Sequence, residues 1–320
     1  MKRVFCLMFV VCLFASNICF AENVNEYWGT NLPVFERVEL ENPNPDPLLP
    51  LPDPSKYYLN PYEPNEDNFI KDEATGAPYE YRDSTIYIKV ESRVIKNSNV
   101  FFTWIQIADP TQLLTFATNY ESSPLTMTNR LNAVIGINGD WFTGHGKTGV
   151  IYRNGVLMRP EKKYGNYDAL IIDKQGDFHI LYRPSLEDFE PYKESVVHSF
   201  LFGPALVIDG KLQEFETFVY GSGQGMGLDH KTQRQALCQV DKLTYMIITT
   251  EGPKENKGGG FDIVEFAKLC YDMGVKNAYN FDGANSTCLI FGNKKINRYK
   301  KSSLRYVTDM IYFVTAEPSK

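Results

Sequence analysis

The chain has 320 residues, of which 43% are hydrophobic and 22% are charged, and its formal net charge at pH 7 is −6. This acidic balance excludes the basic surface of a nucleic-acid-binding protein, so an anionic ligand would need a local cationic pocket. A chain of this length can bury a hydrophobic core large enough to stabilise its fold.

Residues 1–21 have the pattern of a secretory signal peptide. Lys2 and Arg3 precede an apolar run, and the small residues Cys19 and Ala21 stand at the cleavage positions. The run is shorter than the roughly 20 apolar residues that cross a membrane. We therefore expect a secreted or periplasmic protein without stable membrane insertion; a signal anchor and a lipoprotein are the less favoured alternatives. Cleavage removes two basic residues and no acidic one, which takes the net charge from −6 to −8.

The cysteines and histidines exclude several kinds of site. Three of the six cysteines lie in residues 1–21, which leaves Cys238, Cys270 and Cys288. These allow at most one disulfide bridge, in a pairing that stays open, and exclude a disulfide scaffold and a four-cysteine zinc site. The four histidines have no metal-ligand spacing. A divalent cation is conceivable near the acidic turns, but no loop has Ca²⁺-site spacing, so we predict no required cofactor.

Residues 22–78 are predicted to form a proline-rich arm. Its prolines recur at short intervals: Pro43, Pro45, Pro47, Pro50, Pro52, Pro54, Pro61 and Pro64. Proline at this density keeps a chain extended and removes amide donors. A spacer or an arm lying on the protein surface is favoured over a ligand for a partner protein.

Residues 79–320 are predicted to form one α+β domain with mixed or antiparallel sheets and few flanking helices. Alternating apolar residues predict strands at 86–94 and 100–107, and strand pairs flank turns at 175–176, 209–210 and 241–242. One helix is clear, because an apolar face runs from Ile263 to Met273. Asp262 and Glu265 are placed to cap its start, and Gly274 is placed to end it.

Two polar turns follow predicted strands. The segment 280–287 contains Asp282, Gly283, Asn285 and Ser286 after Asn280, and such a density of polar groups between apolar runs is favourable at the mouth of a cleft. The second turn, 138–142, reads Asn138, Gly139, Asp140, Trp141 and Phe142. As an ordinary turn, its Asn-Gly pair would supply a positive φ angle. As a binding site, its aromatic rings would stack on sugar faces.

Three further residues are candidates for an anionic ligand. Arg234 begins a predicted strand and Arg305 precedes another, and either could be an ordinary surface charge. A bidentate pair with Asp309 is the structural alternative for Arg305. His230 lies in a glycine-rich loop that could approach the site.

Taken in order, these segments resemble the phosphodiester glycosidase domain family. The resemblance covers residues 79–315 and uses six motifs: the Asn138 turn, Gly203 to Leu206, Gln233 to Ala236, the helix that follows Gly260, the Asn280 to Ser286 turn, and Arg305. Ala284 and Asn285 depart from the glycines of the family turn, and Leu304 stands where a glutamate is usual.

The resemblance implies hydrolysis of the C1–O bond of a sugar 1-phosphodiester of the N-acetylglucosamine type, on a glycan or an envelope polymer. It implies Asp282, Asp140 and Arg234 as catalytic residues. It implies substrate contacts by the remaining polar and aromatic residues: Asn138, Gly139, Trp141, Asn280, Gly283, Asn285, Ser286, Arg305 and His230. A non-catalytic glycan-binding or envelope-assembly protein, and a glycosidase that cleaves plain glycosides, are the alternatives.

Overall fold

The computed structural model describes residues 62–144, 148–160, 167–215, 230–252, 259–297 and 304–318. The predicted signal peptide and most of the proline-rich arm lie outside these residues. The described α-helices are α1 (Pro124–Arg130), α2 (Leu186–Phe189) and α3 (Ile263–Asp272). The described strands are β1 (Phe69–Lys71), β2 (Pro78–Arg82), β3 (Ile86–Ile95), β4 (Ser98–Ile107), β5 (Leu113–Ser122), β6 (Ile135–Asn138), β7 (Val150–Arg153), β8 (Val156–Pro160), β9 (Ala169–Asp173), β10 (Phe178–Leu181), β11 (Val196–Leu201), β12 (Ala205–Ile208), β13 (Lys211–Leu212), β14 (Gln235–Asp241), β15 (Thr244–Thr250), β16 (Asn277–Asn280), β17 (Leu289–Phe291), β18 (Lys294–Lys295) and β19 (Val307–Phe313).

The strands form two large sheets and two small ones. The nine-stranded sheet has the order β1-β2-β3-β4-β15-β14-β16-β12-β13, and the five-stranded sheet has the order β18-β17-β6-β19-β5. A three-stranded sheet, β10-β9-β11, and the pair β7-β8 complete the described part. The pairings within both large sheets are antiparallel. The predicted α+β class is confirmed, in its antiparallel form.

The two large sheets face each other across the main hydrophobic core. This core joins Ile105 and Tyr279 of the nine-stranded sheet to Ile137 and Phe313 of the five-stranded sheet. Helix α3 covers the outer face of the nine-stranded sheet, and α1 covers the outer face of the five-stranded sheet. The polar ends of β6 and β16, which belong to different sheets, therefore meet at the edge of a shared core.

Local sequence signals explain several of these elements. The Asp262 side chain accepts a hydrogen bond from the Glu265 amide, and the Glu265 side chain accepts one from the Asp262 amide, which is the predicted capping box of α3. Gly274 ends this helix with a φ of 69°. The predicted turns at 175–176, 209–210 and 241–242 join β9 to β10, β12 to β13 and β14 to β15.

The amino-terminal boundary of the domain differs from the prediction. The arm was predicted to extend to residue 78, but β1 within it pairs with β2 at the edge of the nine-stranded sheet. Phe69 is only 7% exposed and belongs to the main core. A three-residue strand is too short to show an alternating pattern, so no pattern in the sequence predicts it.

Among the described helices, none has the length and apolar character needed to cross a membrane.

Candidate active site

The two predicted polar turns lie side by side between the large sheets. Asn138 at the end of β6 donates from Nδ2 to the carbonyl of Asp282, 2.7 Å away. The amide of Asp282 donates to the carbonyl of Gly139, 3.3 Å away. The Asn138 Oδ1 atom accepts from the amide of Cys288, which follows the second turn. Residues 144 positions apart are thus held together by the buried side chain of Asn138.

A pocket opens where these turns meet. Six of the predicted site residues line it, namely Asn138, Gly139, Trp141, Asp282, Ser286 and Arg305. Five residues outside the predicted set complete its wall, namely Glu121, Tyr306, Val307, Thr308 and Asp309. The pocket therefore combines carboxyl groups, one arginine and exposed aromatic rings.

Of the two pocket carboxyl groups with a raised pKa, Asp282 and Asp309, Asp282 is the more exposed. Burial raises its pKa from 3.8 to about 6, and the charge of Asp140 adds to this effect. Hydrogen bonds from Ser286 and the Gly283 amide and the charge of Arg305 act in the opposite direction. A carboxyl group with a pKa near 6 can accept or donate a proton close to neutral pH, as general acid–base chemistry requires.

Arg305 and Ser286 connect this carboxyl group to a positive charge. Arg305 donates from Nη1 to Ser286 Oγ across 3.0 Å, and the Ser286 hydroxyl bonds Asp282. Arg305 is exposed on the pocket wall, whereas Ser286 is buried. The arrangement places a guanidinium where it can reach an anionic group of a ligand bound above Asp282.

Aromatic rings form the outer part of the pocket. Trp141 is 41% exposed and Tyr306 is 56% exposed, although both line the pocket. Trp141 has a φ of 57°, a left-handed conformation that is rare for a bulky residue. The positive φ that the sequence assigned to the Asn-Gly pair thus falls on Trp141. Gly139 is needed for space instead, since a Cβ atom there would overlap the carboxylate of Asp309.

Asp140 lies beneath the pocket, with a side chain 2% exposed. Its Oδ1 atom is 2.6 Å from Nη2 of Arg153, and its Oδ2 atom accepts from the amide of Leu201. Asp309 lies beside it and accepts from the amides of Asp140 and Phe142. Asp140 therefore acts on the pocket through its charge and its hydrogen bonds, without facing the opening.

Arg234 has a different environment from the one expected of a phosphate ligand. It is 3% exposed and donates from Nε to the Phe261 carbonyl and from Nη2 to the His230 carbonyl. It does not line the pocket, and neither does His230, which is exposed. The catalytic role of Arg234 and the substrate contact of His230 stay predictions, and Arg305 is the arginine of the pocket.

Three other predicted contacts lie around the second turn. Asn280 is buried and donates from Nδ2 to the Gly203 carbonyl, 2.8 Å away. Gly283 packs against the backbone of Gln233, so that a Cβ atom would lie 2.8 Å from the Gln233 oxygen. Asn285 is exposed beside the pocket rim. Asn280 and Gly283 thus shape the turn, whereas Asn285 can reach a ligand that extends beyond the pocket.

The residues that sequence reasoning missed lie on the β5 and β19 side of the pocket. Tyr306 adjoins Arg305 in the chain, so its position next to a motif residue was the available signal. Asp309 was considered only as a partner of Arg305, but it lies next to Arg153 instead. Glu121 gave no signal, because it lies near the end of a strand with no motif around it.

In the described part of the chain, no cluster of three acidic, histidine or cysteine side chains is arranged to hold a metal.

Fold and pocket together define an antiparallel two-sheet domain with a carboxylate–arginine pocket at the sheet junction. The phosphodiester glycosidase family model matches residues 131–314, more than half of the chain. The chain therefore belongs to the phosphodiester glycosidase family. The matched range contains both polar turns and every pocket residue except Glu121. No curated protein matches the chain.

Several solved structures share the fold, and two of them align over 75% or more of this chain. The zebrafish N-acetylglucosamine-1-phosphodiester alpha-N-acetylglucosaminidase catalytic domain, auto-inhibited by its pro-peptide, aligns over 77% of this chain and 86% of its own, with a TM-score of 0.56 and 16% identity. A hypothetical protein from Synechocystis aligns over 75% of this chain and 64% of its own, with a TM-score of 0.57 and 14% identity. Identities this low establish the common fold alone.

Proposed function

We propose that this protein is an exported hydrolase that cleaves the C1–O bond of a sugar 1-phosphodiester, of the N-acetylglucosamine type, on a glycan or an envelope polymer. The observation that carries the proposal is the pairing of Asp282, with its raised pKa, and Arg305 within one pocket of a phosphodiester glycosidase fold. The pattern of residues 1–21 supports action outside the cytoplasm.

The proposed chemistry follows from the leaving group. Cleavage of the C1–O bond releases a phosphate monoester, whose second pKa is about 6, so it departs as an anion with little need of protonation. Asp282 in its ionised form then activates water or stabilises the positive charge that develops at C1. Arg305 binds the phosphate, and Ser286 positions Asp282 and Arg305 by hydrogen-bonding both side chains. Trp141 and Tyr306 offer apolar ring faces to the sugar.

The test is release of sugar from matched substrates by the purified full chain. An N-acetylglucosamine 1-phosphodiester should be hydrolysed, and Asp282→Asn should lower kcat by roughly 10²–10⁴-fold while the protein stays folded. Arg305→Ala should lower kcat/KM by roughly 10²–10³-fold, and Arg305→Lys should lower it less.

Asp241→Asn is the matched control, because Asp241 is an exposed residue at the end of β14. Full turnover by folded Asp282→Asn would refute the catalytic assignment, and binding without release by the wild type would favour a glycan-binding protein.

Glu121 favours a second candidate function, hydrolysis of a plain glycoside. Plain glycosidases need a second carboxyl group to protonate a poor leaving group, and Glu121 enters the same pocket as Asp282. If this function holds, Glu121→Gln should abolish hydrolysis of an alkyl N-acetylglucosaminide. If the phosphodiester is the substrate, the same variant should retain most activity on it, since the phosphate leaves unaided.

A further inference from the structure

A buried cluster of two carboxyl groups and one guanidinium supports the floor of the pocket. Nη2 of Arg153 lies 2.6 Å from Asp140 Oδ1 and 3.6 Å from Asp309 Oδ2, and all three side chains are 2% exposed. The guanidinium also contacts backbone carbonyls and the rings of Phe200 and Phe142, whose centroids are 4.4 and 5.8 Å away. Two buried acids thus share a single nitrogen of Arg153.

Asp309 also fixes the conformation of the first turn. Its two oxygens accept from the amides of Asp140, at 2.7 Å, and Phe142, at 3.1 Å. These amides flank Trp141, whose left-handed backbone is unfavourable by itself. The Asp309 carboxyl group therefore holds both sides of the strained residue that forms the pocket wall.

The carboxyl groups of Asp140 and Asp309 lie close enough to share a hydrogen bond, which requires a proton on one of them, and Arg153 is the cation in contact with both. Arg153 can neutralise one carboxylate, and a second unpaired charge in a buried site is strongly unfavourable. Burial raises the pKa of Asp309 well above its usual range, and the charge of Asp140 raises it further. The charge of Arg159 from β8 also acts on both acids, but its guanidinium donates to the carbonyls of Phe142 and Thr148 and not to either carboxyl group. Asp282 is acidic as well and supplies no balancing charge.

We propose that Asp140 and Asp309 hold one proton between them, carried on Asp309, and that the resulting neutral cluster with Arg153 positions the Trp141 turn. Asp309 is then a positioning residue, and Asp282 is the pocket carboxyl group that titrates during turnover. The charge state of the cluster does not depend on the proposed function, and only the kinetic readout rests on that function.

Infrared spectroscopy of the wild-type protein at pH 8 tests the shared proton directly. At this pH Asp282, with a pKa of about 6, is ionised. We expect the carbonyl stretching band of a protonated carboxylic acid in the wild type, and its disappearance in Asp309→Asn. Absence of the band in the wild type would overturn the proposal, and this result requires no variant to fold.

A double-mutant cycle in urea tests how the two acids share Arg153. Asp140→Asn and Asp309→Asn each leave one carboxyl group beside Arg153, whereas the double variant leaves none. Each variant changes the unfolding equilibrium constant by some factor relative to the wild type. We expect the factor for the double variant to exceed the product of the two single-variant factors by roughly tenfold or more. Additive effects would contradict the proposal.

The kinetic readout separates this cluster from a merely structural one. The charge of Asp140 raises the pKa of Asp282, and in Asp140→Asn the Asp309 carboxyl group would ionise beside Arg153 and replace that charge. The double variant Asp140→Asn/Asp309→Asn should therefore move the acid limb of the kcat/KM profile to lower pH. Asp309→Asn replaces a neutral group by another neutral group, so it should leave the position of that limb unchanged. A shift in Asp309→Asn equal to that in the double variant would overturn the assignment of the proton. A wild type that hydrolyses no phosphodiester would refute the proposed function, but it would not contradict the infrared result.

Discussion

The exchange Asp282→Asn should stabilise the protein while it removes the proposed activity. The pKa of Asp282 is about 6 in the folded protein and 3.8 for the free group, a difference of about two units. Each unit corresponds to about 1.4 kcal/mol of free energy. The side chain is partly exposed, so solvent screening reduces the full value, and we expect an effect of about 2–3 kcal/mol.

The sign follows from which state binds the proton. Between about pH 4 and pH 6, folded wild-type protein keeps a proton on Asp282 that the unfolded chain has released. The free energy of unfolding of the wild type therefore falls as the pH rises through this window. Asparagine at this position does not titrate, so the stability of Asp282→Asn relative to the wild type should rise by about 2–3 kcal/mol between pH 4 and pH 8.

Urea unfolding of both proteins at several pH values measures this difference. Comparing one pair of proteins across pH cancels the effects of the substitution that do not depend on titration. Asp241→Asn, which removes an exposed carboxylate, corrects for the loss of one surface charge. A difference between Asp282→Asn and wild type that stays constant from pH 4 to pH 8, or that falls, would refute the raised pKa and with it the general-base assignment.

Two glycine-to-alanine exchanges and one alanine-to-glycine exchange test the packing of the two turns. Gly139→Ala should destabilise the fold by about 1–3 kcal/mol or more, because its methyl group would overlap the Asp309 carboxylate. A variant as stable as wild type in urea would show that Asp309 can move away without cost. Gly283→Ala should cost about 1–3 kcal/mol, since the methyl group would lie 2.8 Å from the backbone oxygen of Gln233, and an unchanged urea midpoint would contradict this. Ala284→Gly should be neutral or stabilise by up to about 1 kcal/mol, because Ala284 has a φ of 49°, and a loss of stability above 1 kcal/mol would show that the alanine methyl group makes a needed contact.

The fold could be predicted where its signals are local. The capping residues of α3 are three positions apart, and the hairpin turns join neighbouring strands, so each pattern is readable within a short window. The turn that contains Asp282 was readable for the same reason, since it follows a strand and a capped helix. The edge strand β1 was not, because three residues carry no period.

The interior of the site could not be predicted, because its contacts join distant segments. Arg153 gave no signal in the sequence, since an arginine at the end of a strand is ordinarily exposed. Its burial depends on two acids from other segments: it pairs with Asp140, 13 positions earlier, and it lies near Asp309 of β19. Arg234 and Arg305 show the converse: both begin or precede strands, but only the three-dimensional arrangement shows that Arg305 faces the pocket and Arg234 the backbone.

Two residues with left-handed backbones lie in the turns that form the pocket, Trp141 in the first turn and Ala284 in the second. Trp141 and Ala284 occupy a conformation that costs about 1–2 kcal/mol for a residue with a side chain. Each lies in a turn tied by a buried group from elsewhere, Trp141 by Asp309 and Ala284 by the backbone of Gln233. Strain persists only when the surroundings determine the conformation, so both turns are held before a ligand binds.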